Sequence, residues 1–253
     1  TAITMEGNIV SPPQVDGRRL VVQSDSGQIK VLDVEPTAQS QRVSELVTVP
    51  KSFAQPRLSW LLADSNRVWV AQQQLMRFDV QVATLSMSRA WIKYDGDQFA
   101  APPQRFGDML IHARTQRGTR GVRVTAANAN SGEALWETDV GVPVTYIGAA
   151  GSGYQALNAS GMLFALGNQP IRSQADENPG QGKSGLLFER AIQLNDGRAV
   201  LMNSSRGNQL AVVSGESPKI KLLSANFGTA QPTSSPTAVE NQLAVGLDSG
   251  QLV

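Results

Sequence analysis

Three segments of the chain superpose at constant offsets: Pro13-Gln-Val-Asp-Gly-Arg-Arg-Leu20, Pro103-Gln-Arg-Phe-Gly-Asp-Met-Leu110 and Pro236-Thr-Ala-Val-Glu-Asn-Gln-Leu243. The first and last continue nearly in step, as Leu20-Val-Val-Gln-Ser-Asp-Ser-Gly-Gln-Ile29 and Leu243-Ala-Val-Gly-Leu-Asp-Ser-Gly-Gln-Leu252. Each reads as a short apolar strand, a polar Asp-Ser-Gly turn and the start of another strand. The three prolines lie 90 and 133 residues apart, which is two and three copies of a unit of about 45 residues.

One small antiparallel sheet cannot bury both of its faces alone, so a repeat of this length gains its core by stacking on its neighbours. The reading is an all-β fold, a β-propeller of four-stranded antiparallel blades with about 45 residues per blade. Residues 1–253 then hold about five and a half blades of one domain, in a ring of about seven or eight when complete. The chain accordingly reads as part of a longer protein. Glycine (23 residues) and proline (13), with 17% charged residues, suit many turns between short strands better than long surface helices.

Along the chain the strand candidates are 19–23, 28–32 and 43–49. The second unit offers 56–60, 67–71 and 74–79, with 83–91 as a closing strand or short helical insertion. The third offers 109–113, 121–126 and 133–136, the fourth a hairpin over 154–166, and the fifth 186–190, 198–203, 209–213 and 219–223. Residues 167–185 lose strand character and read as a flexible loop. Trp91 and Trp136 stand 45 residues apart, each expected at the end of an outermost strand, where an indole covers the gap between neighbouring blades. Trp60 and Trp69 admit either packing between blades or exposure on a rim.

The net charge of +1 and the lack of a long basic tract support no nucleic-acid partner and no anionic-membrane patch, and no apolar stretch is long enough for direct membrane insertion. Arg114, Arg117, Arg120 and Arg123 form a local positive cluster, expected on one hairpin loop and taken as the candidate interaction surface. The absence of cysteine excludes disulfides, thiolate metal sites and a cysteine nucleophile. His112 is the single histidine, without a second histidine as partner for metal binding, and no Gly-x-Ser-x-Gly elbow provides a serine nucleophile. Gly148–Gly153 and Gly182-Lys-Ser184 lack the helix that a phosphate loop requires and read as turns. Asp25 and Asp248 sit in Asp-Ser-Gly turns, where an aspartate is expected to accept a backbone N–H two residues on. No catalytic, cofactor-binding or metal residue is therefore assigned.

The motif Pro…Gly-Asp-x-Leu…Ala-x-Asn-x-x-Ser-Gly-Glu-Ala-Leu-Trp136, with the Leu-Val-Val…Asp-Ser-Gly-Gln pattern, resembles the quinoprotein-like, or PQQ-like, propeller repeat. That family includes alcohol dehydrogenases carrying pyrroloquinoline quinone and non-enzymatic members, among them the lipoprotein of the outer-membrane barrel-assembly machinery. The resemblance implies the ring and favours the cell envelope or periplasm. Quinone enzymes of the family hold calcium with acidic and amide side chains, use an aspartate base, stack the quinone on a tryptophan and often cover it with a vicinal disulfide. This chain has no cysteine, and no such Glu, Asn and Asp set matches, so it resembles the non-enzymatic members more. The expected function is a bacterial protein-binding or scaffold propeller without cofactor, acting on another protein or within a larger assembly. The alternative is part of a quinone-dependent dehydrogenase whose cofactor residues lie partly outside this segment.

Overall fold

The computed structural model describes residues 3–35, 43–49, 59–99, 101–119, 121–141, 143–150, 153–159, 163–166, 188–194, 196, 198–203, 208–213, 220–233, 237–239 and 241–253. Among them there is no α-helix; one 3-10 turn, Val82–Thr84, precedes an outer strand. The strands form β1 Gln14–Asp16, β2 Arg19–Gln23, β3 Ile29–Val34 and β4 Val43–Val49, paired in that order as one four-stranded antiparallel sheet. A second such sheet is β5 Trp60–Asp64, β6 Arg67–Ala71, β7 Leu75–Gln81 and β8 Ser86–Lys93. In the third, β9 Gln98–Phe99 and β10 Gln104–Phe106 both pair with β11 Met109–Thr115, followed by β12 Val122–Asn128 and β13 Ala134–Val140. Then come β14 Val144–Ala150, β15 Gly153–Asn158 and β16 Leu163–Leu166, which form one sheet, with Tyr154 opposite Leu166 in the expected hairpin. The fifth sheet is β17 Phe188–Gln193, β18 Ala199–Asn203, β19 Gln209–Val213 and β20 Ile220–Ser224, and the sixth pairs β21 Thr237–Val239 with β22 Gln242–Ala244. The 167–185 segment lies outside the described residues.

The repeat extends to the hydrogen-bond register. Gln14 faces Val21, Gln104 faces Ile111 and Thr237 faces Ala244, each at the 90- and 133-residue offsets of the prolines. The same offsets relate the pairs Ile9–Ser24, Phe99–Arg114 and Pro232–Leu247 upstream of each proline. Between these two points the first strand of the first and third sheets leaves the ladder, at Ser11-Pro-Pro13 and Ala101-Pro-Pro103. Proline has no N–H to donate, so the strand is interrupted where the sequence places it. The following hairpins have two-residue loops that need a positive φ at the first position. Gly17 (φ 56°) and Gly107 (φ 59°) supply it, whereas the second sheet uses Ser65 (φ 55°), whose N–H is held by the Asp16 carboxylate of the first sheet.

The chain forms two compact units, Thr1–Arg120 with Thr125–Leu135, and Gly121–Val124 with Trp136–Val253. In the first, Val21, Val31 and Val47 pack on Leu61, Val68, Val70 and Phe78, joining the first two sheets. Trp69, Ala71 and Leu75 pack on Phe99, Leu110 and Ala129, joining the second sheet to the third, with Trp60, Trp91 and Tyr94 around them. In the second unit, Tyr146, Leu157 and Leu163 pack on Ala199, Leu201, Ala211 and Val213. A side chain of this kind fully withdrawn from water contributes about 1.5–3 kcal/mol, so the stacking of sheets supplies the core that no single sheet has. Middle strands are buried on both faces, hence the continuous apolar run Val68-Trp-Val-Ala71 and the run Leu110–Ala113, apolar but for His112. Outer strands alternate, as in β13, where Leu135, Glu137 and Asp139 face solvent.

Trp91 and Trp136 both lie in outermost strands, but neither ends one: Trp91 is two residues short of the end of β8 and Trp136 four short of the end of β13. The 45-residue spacing is a chain distance: the turns before the two strands close alike, at Gln81–Ser86 and Asn128–Glu133, but Trp91 stands five residues beyond its turn, past a bulge in β8, and Trp136 three beyond its own.

Candidate functional site

The densest set of chemistry-bearing side chains among the described residues sits where the second sheet passes into the third. The turn Tyr94-Asp-Gly-Asp97 links β8 to β9 and folds back through the Asp97 N–H, which donates to the Tyr94 carbonyl (3.2 Å). Tyr94 (φ 59°) and Gly96 (φ 82°) both take left-handed backbone, and the Gly96 N–H donates to the Gln73 carbonyl (2.8 Å). Asp97 is thereby aimed at β11. Its Oδ2 accepts a hydrogen bond from Arg114 Nη1 at 2.8 Å and its Oδ1 accepts the Arg117 N–H at 3.4 Å. The Arg114 guanidinium lies 4.2 Å from the centroid of the Tyr94 ring, within cation–π range. His112, two residues earlier on β11, is 0% exposed and packs 4.9 Å from the Tyr94 ring and 5.4 Å from the Phe99 ring, centroid to centroid. Burial, and secondarily the Arg114 charge, lower its pKa to about 3. A buried imidazole that weakly basic stays neutral at ordinary pH and reaches no substrate as a general base.

The four arginines of the basic cluster are thus differently placed. Arg114 is 2% exposed and holds a buried ion pair, so it offers no charge to a partner. Arg117 is exposed at a turn that the Thr119 N–H and hydroxyl close by donating to the Gln116 carbonyl. Arg123, on β12, grips both oxygens of Asp139 (2.7 and 3.0 Å) and reaches Glu137 (3.3 Å). Arg120 lies outside the described residues. The physical reason for the dispersal is the hairpin: side chains alternate on β11 and β12, so a spacing of three in sequence does not make one face. Of the tryptophans, Trp69 is fully buried, and Trp60 donates its indole N–H to the Phe99 carbonyl (3.1 Å). Trp91 lies against Gly132, where an added Cβ would come within 3.1 Å of the indole. Trp136 is half-buried in the second unit.

Carboxylates elsewhere join sheet to sheet or strand to lead-in. Asp64 pairs with Arg105 of the third sheet, and Arg19 of the first reaches the Ser65 carbonyl and the Asn66 side chain of the second. In the second unit the Asp196 N–H donates to Asn241 Oδ1 (3.1 Å). Asp25 and Asp248 are structural, but not by the expected local bond. Asp25 accepts the Asn8 N–H (3.0 Å) and side-chain amide (3.1 Å), and Asp248 accepts the Gln231 N–H (3.0 Å), each from 17 residues earlier. The N–H two residues on, of Gly27 or Gly250, goes instead to the carbonyl of Ser24 or Leu247. Among the described residues no group of three or more His, Asp or Glu side chains could hold a metal ion.

Sequence reading missed Tyr94, Asp97 and Asn8, all upstream of the proline motif. The offset itself carries the signal, since residue 97 stands in the place of Gly7.

No protein-family model matches the chain, and no curated protein matches it by sequence. Solved structures do. BamB from Moraxella catarrhalis is similar over 98% of this chain and 85% of its own, with 14% identity and a TM-score of 0.53. The Cps50 (Swd1) β-propeller domain of Myceliophteria thermophila is similar over 97% and 83%, with 12% identity and a TM-score of 0.62. A europium-containing methanol dehydrogenase is similar over 86% of this chain and 51% of its own, with 11% identity and a TM-score of 0.53. At such identities the likeness speaks for architecture alone. Taken with the antiparallel four-stranded sheets and their stacked cores, it makes this chain a β-propeller.

Proposed function

We propose that the chain is a non-catalytic propeller domain that binds other proteins, as a scaffold within the bacterial cell envelope. One observation carries this reading: the buried histidine and four aspartates near the repeat's turns are engaged in holding the fold. His112 is sealed between rings, and Asp16, Asp25, Asp64 and Asp97 hold backbone or arginine partners. Among the side chains that face solvent are Arg117, on backbone fixed by Asp97, and apolar ones such as Leu85 and Leu135. An exposed arginine on a held backbone suits recognition of an acidic or carbonyl-rich protein surface. Similarity in architecture to BamB and to a methanol dehydrogenase alike agrees with the repeat's resemblance to quinoprotein-like propellers, and the preference for the non-enzymatic members rests on the side chains.

The test is affinity capture with crosslinking mass spectrometry on the intact protein in its native extract. Reproducible links from residues 114–119 to one protein, lost in Arg117→Glu, are expected. Quinone-dependent alcohol oxidation by the purified protein with added calcium would instead establish the dehydrogenase reading.

A further inference from the structure

The third sheet breaks its own repeat at two inward positions. In the shared register His112 stands where the first and sixth sheets place Val22 and Val245, and Arg114 stands where they place Ser24 and Leu247. Both valines are buried, so the position accepts an apolar side chain, and histidine there runs against the local pattern. Neither His112 ring nitrogen has a hydrogen-bond partner among the described residues. Around it a cation meets the Tyr94 and Phe99 rings, whose attraction is weak beside the loss of water, and no free carboxylate among the groups named here. Arg114, on the same strand, is the charge acting on the ring, and it is repulsive. Asp97 is already bound by Arg114, the Tyr94 and Phe99 rings cover the imidazole, and Asp95 of the same turn is exposed.

We propose that His112 is an acid-operated release for the Tyr94–Asp97 turn, and through it for the Arg117 loop. Protonation places a second cation beside Arg114 in a buried site where Asp97 is already taken by that arginine. The segment able to yield is the one that covers the ring. Tyr94 holds a left-handed backbone that side chains disfavour, so opening also relaxes it. Asp97 leaves with the turn, and the Arg117 N–H loses its acceptor. In the open form the imidazole regains its ordinary affinity for protons, whereas the closed form rejects them. The open fraction therefore rises about tenfold per pH unit once the pH falls below about 6. This inference concerns the domain itself and stands whether or not the protein-binding reading does.

The test is hydrogen exchange on the intact protein at pH 7 and pH 5, corrected for the intrinsic pH dependence of exchange, for the natural chain and His112→Val. The substitution restores the valine of the other sheets. Opening at residues 94–99 and 112–119 is expected to increase about twenty- to thirty-fold in the natural chain between these pH values. It should change little in His112→Val, with protection elsewhere alike in both. An equal response in the two proteins, or a rise spread uniformly over the chain, overturns the proposal. Because His112 is the single histidine, its ring signals need no assignment, and an NMR titration of the natural chain decides independently of the variant. Absence of a folded-state midpoint near 6.5 is expected. A midpoint there without change in exchange overturns the release.

Discussion

The first and third sheets share a register yet fasten the start of their first strand by opposite means. In the first, the acid sits in the turn after β2: Asp25 reaches back to the Asn8 N–H and side chain, partly in solvent. In the third, Thr115 occupies that place and the acid has moved to the lead-in segment, where Asp97 reaches forward to a buried Arg114. The sixth sheet follows the first, with Asp248 on the Gln231 N–H. Common backbone geometry thus leaves the choice of fastening free, and the two choices differ in consequence. A partly exposed hydrogen bond contributes about 0.5–1.5 kcal/mol. A buried ion pair adds little over an apolar pair but is expensive to halve.

The largest expected effect is at Asp97. Asp97→Ala strands the buried Arg114 and should cost about 3–5 kcal/mol, read as a lower urea midpoint. A loss under 1 kcal/mol would mean that Arg114 escapes to water and that the two fastenings are equivalent.

Next comes pH. The folded pKa of His112, about 3, lies below the ordinary value of 6.5, so the unfolded chain binds the extra proton in between. The contribution is fully present above pH 6.5 and is lost as pH falls toward 3. The natural chain should lose about 2.5 kcal/mol more than His112→Val between pH 7 and pH 4.5, in denaturation curves at the two pH values.

The lead-in glycines come third. Gly7 has φ 81°, and a Cβ there would meet Asp25 Oδ1 at 2.0 Å, while a Cβ at Gly96, φ 82°, finds Arg117 Cδ at 3.8 Å. Gly7→Ala should destabilise by about 2 kcal/mol and Gly96→Ala by about 1; the reverse order in thermal melts would show that Asp25 moves aside freely. Smallest is Asp25→Ala, at about 1 kcal/mol and matched by Asp248→Ala. A clear inequality between them would break the equivalence of the first and sixth sheets.

Much of this architecture was legible in the chain. Pro13, Pro103 and Pro236 gave the offsets, and the strand pairs Gln14–Val21, Gln104–Ile111 and Thr237–Ala244 obey them residue by residue. Turn residues and alternation carry register because they act locally on the backbone. The site was less legible because its partners are far apart in sequence: Asp25 with Asn8, Asp97 with Arg114, Asp64 with Arg105. A run such as Arg114 to Arg123 advertises charge but not direction. Only the strand position, inward for Arg114 and outward for Arg123, decides which charge meets solvent.

The interrupted strands before β1 and β10 have a consequence beyond geometry. Each lies at the border of its sheet, where an unbroken row of free N–H groups would template the addition of a foreign strand and seed aggregation. Ser11-Pro-Pro13 and Ala101-Pro-Pro103 remove two donors apiece and bend the border away from straightness. A polypeptide of many short apolar strands, prone to cross-pairing while it folds, thereby carries a safeguard against fibril growth at the positions where its repeat begins.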